Sequence, residues 1–163
     1  MLPVGLGVNT GVDVAFSAHH LSWVNNQSSN IWRLVKNSQK EDGKLKADFF
    51  LYREDLEPPE DYVSFYHSNK VGAKEQLAHA ITLFPLKVKK SSWVLSLDMD
   101  LAHKSINKKS LIVRFTDQGY PHVGLEYVVE DNVQKMTAVN VLLLISERYA
   151  QDDVSGEFSL LTE

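Results

Sequence analysis

The sequence predicts an all-β (mainly β) fold, a two-sheet antiparallel β-sandwich carrying one or two short helices. Three observations lead there. From residue 46 onward apolar and polar residues alternate in short runs of period two, the pattern of half-buried strands. Turn chemistry separates the runs, as in Glu57-Pro-Pro-Glu-Asp61 and Thr116-Asp-Gln-Gly-Tyr-Pro121. Repeated short strands also need a second layer, because a single sheet leaves one apolar face uncovered.

Taken in order, Val63 and Phe65 point one way and Tyr62, Ser64 and Tyr66 the other. Ile81 and Leu83 oppose Ala80 and Thr82. Trp93, Leu95, Leu97 and Met99 share a face, with Ser96, Asp98 and Asp100 opposite. Leu111, Val113 and Phe115 oppose Arg114 and Thr116, and Val123, Leu125, Tyr127 and Val129 oppose His122, Gly124 and Glu126. The expected core is Trp93, Leu95, Leu97, Val113, Phe115, Leu125 and Tyr127. Two segments break the alternation. Residues 133–147 are apolar on both faces, which leaves strand and helix undivided by period, and their valine and threonine content favours a long central strand. Residues 28–39 place Ile31, Leu34 and Val35 at helical spacing behind a serine, which predicts a short helix or a structured insertion. With no repeat, low-complexity tract or linker, residues 1–163 read as one domain.

Composition narrows the function. The chain has no cysteine, which excludes disulfides, thiolate catalysis and thiolate metal sites and fits a reducing compartment. A formal net charge of −4 exerts no global pull on nucleic acid or anionic lipid. Lys87, Lys89 and Lys90 form only a short basic cluster, best read as a solvated face. No apolar run approaches a membrane span, and Met1-Leu-Pro-Val-Gly-Leu-Gly7 lacks a signal peptide's basic start and cleavage pattern. The expectation is a cytoplasmic protein with no nucleic-acid partner and no direct membrane insertion.

Few residues suggest chemistry. In Leu97-Asp-Met-Asp100, residues two apart on a strand face the same way, so Asp98 and Asp100 would project together near a strand end. That is a start for a Ca²⁺ site, which needs six to eight oxygen ligands, with Asp48, Asp61, Asn69 and Asp131 as further candidates. Two solvated acids are the plainer explanation. The six histidines include the neighbours His19 and His20, which would face opposite ways on a strand, and none has zinc-type spacing. Trp23, Trp32, Trp93, Tyr62, Phe65 and Tyr66 read as packing residues rather than a basic-aromatic nucleic-acid surface. Leu51-Tyr-Arg-Glu-Asp-Leu-Glu-Pro-Pro-Glu-Asp-Tyr62 resembles the arginine-bearing first strand of pertussis-like ADP-ribosyltransferase toxins, which would give Arg53 a dinucleotide-holding role. Those enzymes also need a serine-threonine-serine strand and a catalytic glutamate. Lys90-Ser-Ser-Trp93 and the stretch from Glu126 to Glu130 match neither, and a Pro58-Pro59 hairpin turn explains the segment more simply.

Read together, the segments from Asp48 to the C-terminus resemble a divergent TerD domain, the family of tellurium-resistance and stress-response proteins that bind calcium on a β-sandwich. Ala47-Asp-Phe-Phe-Leu-Tyr52 stands where the family has its D-x-D-A-S-A-x-L-L strand, and Glu60-Asp-Tyr-Val-Ser-Phe-Tyr-His-Ser-Asn69 resembles its D-D-F-V-F-Y-N-N segment. Ile81-Thr-Leu-Phe-Pro-Leu86, Trp93-Val-Leu-Ser-Leu-Asp-Met-Asp100 and Leu111-Ile-Val-Arg-Phe-Thr-Asp117 follow in the family's order. Thr137-Ala-Val-Asn-Val-Leu-Leu-Leu-Ile-Ser-Glu-Arg-Tyr149 resembles the closing T-A-M-V-x-G-E-L-Y-R strand, with Gly156-Glu-Phe-Ser-Leu160 last. The likeness covers about two-thirds of the chain. Residues 1–45 match poorly apart from Val4-Gly-Leu-Gly7.

The departures fall on the metal. Where the family's calcium loop carries acids, this chain has Lys70-Val-Gly-Ala-Lys-Glu-Gln-Leu-Ala-His79, and the first aspartate pair is reduced to Asp48. The resemblance therefore implies a non-enzymatic interaction module with a degraded or lost calcium site on Asp98, Asp100 and Asp48. Ca²⁺ affinity should then be no better than roughly millimolar. Its partners would be proteins, other tellurium-resistance-type proteins among them, and it would need no cofactor. The alternatives are an unrelated β-sandwich binding module from a phage or secretion system and, third, a degenerate ADP-ribosyltransferase toxin.

Overall fold

The computed structural model describes residues 29–53, 55–67, 73–82, 93–152, 155 and 157–162. The fold is mainly β. Its centre is a seven-stranded antiparallel sheet, built from β1 (Asn30–Val35), β4 (Val63–His67), β5 (Trp93–Asp98), β6 (Val113–Asp117), β7 (His122–Tyr127), β8 (Glu147–Gln151) and β9 (Phe158–Leu160). Their order across the sheet is β6-β7-β4-β1-β5-β8-β9. A separate two-stranded ribbon joins β2 (Lys40–Glu41) to β3 (Lys44–Leu45). Its turn residues Asp42 and Gly43 both have positive φ, 52° and 73°, as an Asp-Gly hairpin turn requires. The described residues also form three α-helices, one more than expected: α1 (Ala73–Thr82), α2 (Met99–Ile106) and α3 (Asn132–Ile145). None is long and apolar enough to cross a membrane.

Both faces of the central strands are covered. On one face Ile31, Val35, Val63, Phe65, Leu95, Leu97, Val113, Phe115, Val123 and Leu125 pack against Ala102 and Ile106 of α2 and Ala138, Val139 and Leu142 of α3. Phe49 and Phe50, in a 3-10 turn at Ala47–Phe50, close the same core. On the other face Trp32 and Val94 pack with Leu77 of α1, flanked by Leu34, Ile81, Tyr149 and Phe158. Every residue of the expected core lies there: Leu95, Leu97, Val113, Phe115 and Leu125 are fully buried, Tyr127 is buried and Trp93 packs at the edge.

Four expectations about local structure are overturned. Residues 133–147 form no central strand. Asp131 caps α3 by accepting the Val133 N–H at 2.9 Å, and the strand begins only at Glu147. The helix is apolar all round because Val133, Met136 and Leu144 lie exposed, not because both sides are packed. Residues 30–35 are no helix either. Ile31 and Val35 serve one face of a central strand and Trp32 and Leu34 the other, and those two sets together imitate helical spacing. Ala47-Asp-Phe-Phe-Leu-Tyr52 holds the 3-10 turn in place of a strand. Ala80 to Thr82 likewise close α1, while Leu83 lies outside the described residues.

Candidate functional site

The aspartates proposed as metal ligands do not converge. β5 ends at Asp98, and Asp100 already belongs to the first turn of α2, so the two carboxylates do not share a strand face. Asp98 is a helix cap: its Oδ1 accepts the N–H groups of Asp100 at 3.0 Å and Leu101 at 3.2 Å, and the Ser29 hydroxyl at 2.5 Å. Asp48 sits exposed in the 3-10 turn, and Asp131 is the cap of α3. Asn69 and Lys70 lie outside the described residues. Among the described residues no group of three or more His, Asp or Glu side chains could hold a metal ion. His67 and His103 are buried, and the His122 ring lies 4.8 Å from that of Tyr66, while His19 and His20 lie outside the described residues.

Arg53 lies in an exposed loop, not on a strand. Its guanidinium binds Asp55 through Nε at 2.8 Å and Nη2 at 2.9 Å, and this holds the Asp55 carboxyl at about 2. Two hydrogen bonds close the loop: the Glu60 N–H donates to the Arg53 carbonyl at 2.8 Å, and the Arg53 N–H donates to the Glu60 side chain at Oε1, 2.6 Å away. Glu126 pairs with Arg114 across the sheet at 2.8 Å. Arg53 and Glu126 are thus each engaged elsewhere.

Among the described residues two concave surfaces stand out, and neither was foreseen from the sequence. One, of about 400 Å³, lies between the C-terminal end of α3 and the β2–β3 ribbon. Leu45, Leu143 and Leu144 supply its apolar wall, Lys44 and Arg148 its cations. Leu144 is 83% exposed, the most exposed large apolar side chain among the described residues. Nearby, the Lys40 ammonium lies 4.6 Å and the Arg148 guanidinium 5.7 Å from the centre of the Trp93 ring.

The other, of about 340 Å³, opens beside Arg33 of β1. Arg33 pairs in register with Leu95 at the middle of the sheet, on the face that carries Ile31 and Val35. Its guanidinium lies 4.5 Å over the Phe49 ring and donates to the Phe49 carbonyl. Burial pulls the Arg33 pKa down to about 10, partly countered by the nearby Glu60 charge, so it remains a cation at neutral pH. An arginine between Ile31 and Val35 would have signalled an inward charge only to a reader who had already placed that segment on a strand. No family model, curated protein or solved structure matches the chain.

Proposed function

We propose that the chain is a non-enzymatic interaction module of TerD type with a degraded calcium site, acting through the groove at the end of α3. The family part of this reading rests on order. β4, β5, β6 and β9 fall, in order, inside segments that resemble strands of the family, whereas residues 47–50, 81–82 and 137–145 of the other segments form a turn or helix. The finer fold belongs to the same proposal, a two-sheet sandwich of which the seven-stranded sheet is one layer.

The observation that carries the interaction is Leu144, exposed beside Leu143 and Leu45 and flanked by Lys44 and Arg148. Solvent-exposed leucine on a folded helix costs free energy that an apolar partner recovers. The flanking cations select an acidic partner segment, an amphipathic helix presenting leucine between carboxylates. Labelled peptides of that design, read by fluorescence anisotropy, should bind at low salt, weaken as salt rises, and lose at least about tenfold in affinity with Leu144→Asp. Equal binding of a lysine-bearing version would overturn the charge argument. Concentration-dependent self-association that Leu144→Asp abolishes would instead assign the groove to a second copy. For the metal, calorimetry should find no Ca²⁺ binding tighter than roughly millimolar. Micromolar binding lost in Asp100→Asn would restore a working site.

A further inference from the structure

The seven-stranded sheet is not closed between β1 and β4. The two strands pair at Ile31 with His67 and Trp32 with Tyr66, and there the pairing stops. The same register carried on would set Arg33 against Phe65 and Val35 against Val63, yet those residues are not partners. The strands fork, and the cavity of about 340 Å³ lies along the fork, with Arg33 on one wall and Val63 and Ser64 on the other.

Charge is distributed unusually around that space. Arg33 spends one hydrogen bond on the Phe49 carbonyl and makes no ion pair; among the described residues the ion pairs are Arg53–Asp55 and Arg114–Glu126. A guanidinium has five N–H donors, so most of its bonding capacity is left over. Glu60 also lines the cavity, close enough for its charge to act on Arg33, but the two do not close on each other. One Glu60 oxygen is held by the Arg53 N–H, which fixes the carboxylate and leaves its second oxygen available. Asp61 adds a further carboxylate. Tyr52, Tyr62, Pro58 and Pro59 complete the walls with flat apolar surface.

A half-buried cation and a fixed carboxylate that share a cavity without touching suit a molecule carrying both signs. We propose that the fork binds a small zwitterion of the amino-acid type. Its carboxylate would take the free donors of Arg33, its ammonium would lie toward Glu60 and Asp61, and a modest side chain would lie against the tyrosines and prolines. A volume of about 340 Å³ is at the small end of ligand pockets and is ample for a free amino acid. The site shares no lining residue with the α3 groove, so either can fail without the other.

The test titrates ¹⁵N-labelled full-length chain with each proteinogenic amino acid in turn. At least one should saturably shift the backbone amides of Leu51, Tyr52 and Glu60 to Ser64, which line the cavity. Its N-acetyl derivative and its carboxamide, each lacking one charge, should each bind at least about tenfold more weakly. Glu60→Gln, which keeps an acceptor for the Arg53 N–H, should weaken the parent amino acid but leave the N-acetyl derivative, which has no ammonium, unchanged or improved. Arg33→Lys should weaken the parent while preserving the ¹⁵N spectrum elsewhere. Three results would overturn the proposal: no saturable shift with any amino acid, an N-acetyl derivative that binds as well as its parent, or an affinity unmoved by Glu60→Gln. The second would reduce the site to a simple anion pocket. The analogue comparison uses the unmutated protein, so the test stands even if Arg33→Lys does not fold.

Discussion

β5 and α3 are both apolar on two sides, and the reasons differ. In β5, Leu95 and Leu97 enter the core under α2 and α3 while Val94 enters the one under α1, and all three are fully buried. In α3, Ala138, Val139 and Leu142 are buried, but Val133 is 74% and Leu144 83% exposed. Two-sided apolarity therefore marks a packed middle layer in one element and an unfilled outer surface in the other. The first kind contributes to folding; the second contributes nothing to it while it stays exposed, and under the proposed function it is the face left for a partner, since burial stabilises only where water is displaced.

The same substitution in both elements measures the difference. Leu97→Ala should cost about 2–5 kcal/mol in chemical denaturation, through lost burial and the cavity left behind. Leu144→Ala should stay within about 0.5 kcal/mol, because an exposed side chain loses little and alanine is a good helix former. A Leu144→Ala loss above about 1 kcal/mol would break the comparison by showing that this leucine is covered in solution.

A smaller effect sharpens it at the β5–α2 junction. Asp98→Ala removes the acceptor for two helix N–H groups and for Ser29, so the cost should be about 0.5–2 kcal/mol. Asp98→Asn should recover most of it, because an amide oxygen still caps. If Asp98→Asn were as damaging as alanine, the negative charge itself would matter, and the metal reading would gain ground over the cap.

How far the sequence could be read follows from the same contrast. Where one face of a strand meets the core and the other is polar, alternation was a true guide, as in β4, β6 and β7. It failed at β1, where a sheet covered on both faces puts Ile31, Trp32, Leu34 and Val35 all inside or nearly so and erases the period. It failed at α3 for the opposite reason, since exposed Val133, Met136 and Leu144 fill the face that should have read as polar. Met99 prolonged the apparent β5 run because it is buried in the core although it begins a helix, and this hid the capping role of Asp98. The Asp42-Gly43 hairpin is legible from its turn residues alone. Arg33 and Glu60 were not legible: they are distant in the chain, and only the fork between β1 and β4 brings them to one cavity.

The smallest expected effect lies outside both layers, in the loop of Arg53. The Asp55 carboxyl is held at about 2, first by its hydrogen bond to the Arg53 guanidinium, against an unperturbed value of 3.8. A folded-state pKa below the unfolded one means that the pair stabilises above the unfolded value and that this contribution fades as pH falls through about 2. Both side chains are exposed, at 61% and 70%, so solvent and salt screen the interaction strongly. Carboxyl NMR should therefore show Asp55 titrating well below an ordinary aspartate at low ionic strength. The midpoint should move back toward 3.8 with Arg53→Gln, with global stability near neutral pH almost unchanged. A midpoint that stays depressed in Arg53→Gln would pass the shift to the loop backbone. A large loss of stability would be more telling, because it would make this exposed loop part of the packed fold and move the boundary that β5 and α3 define.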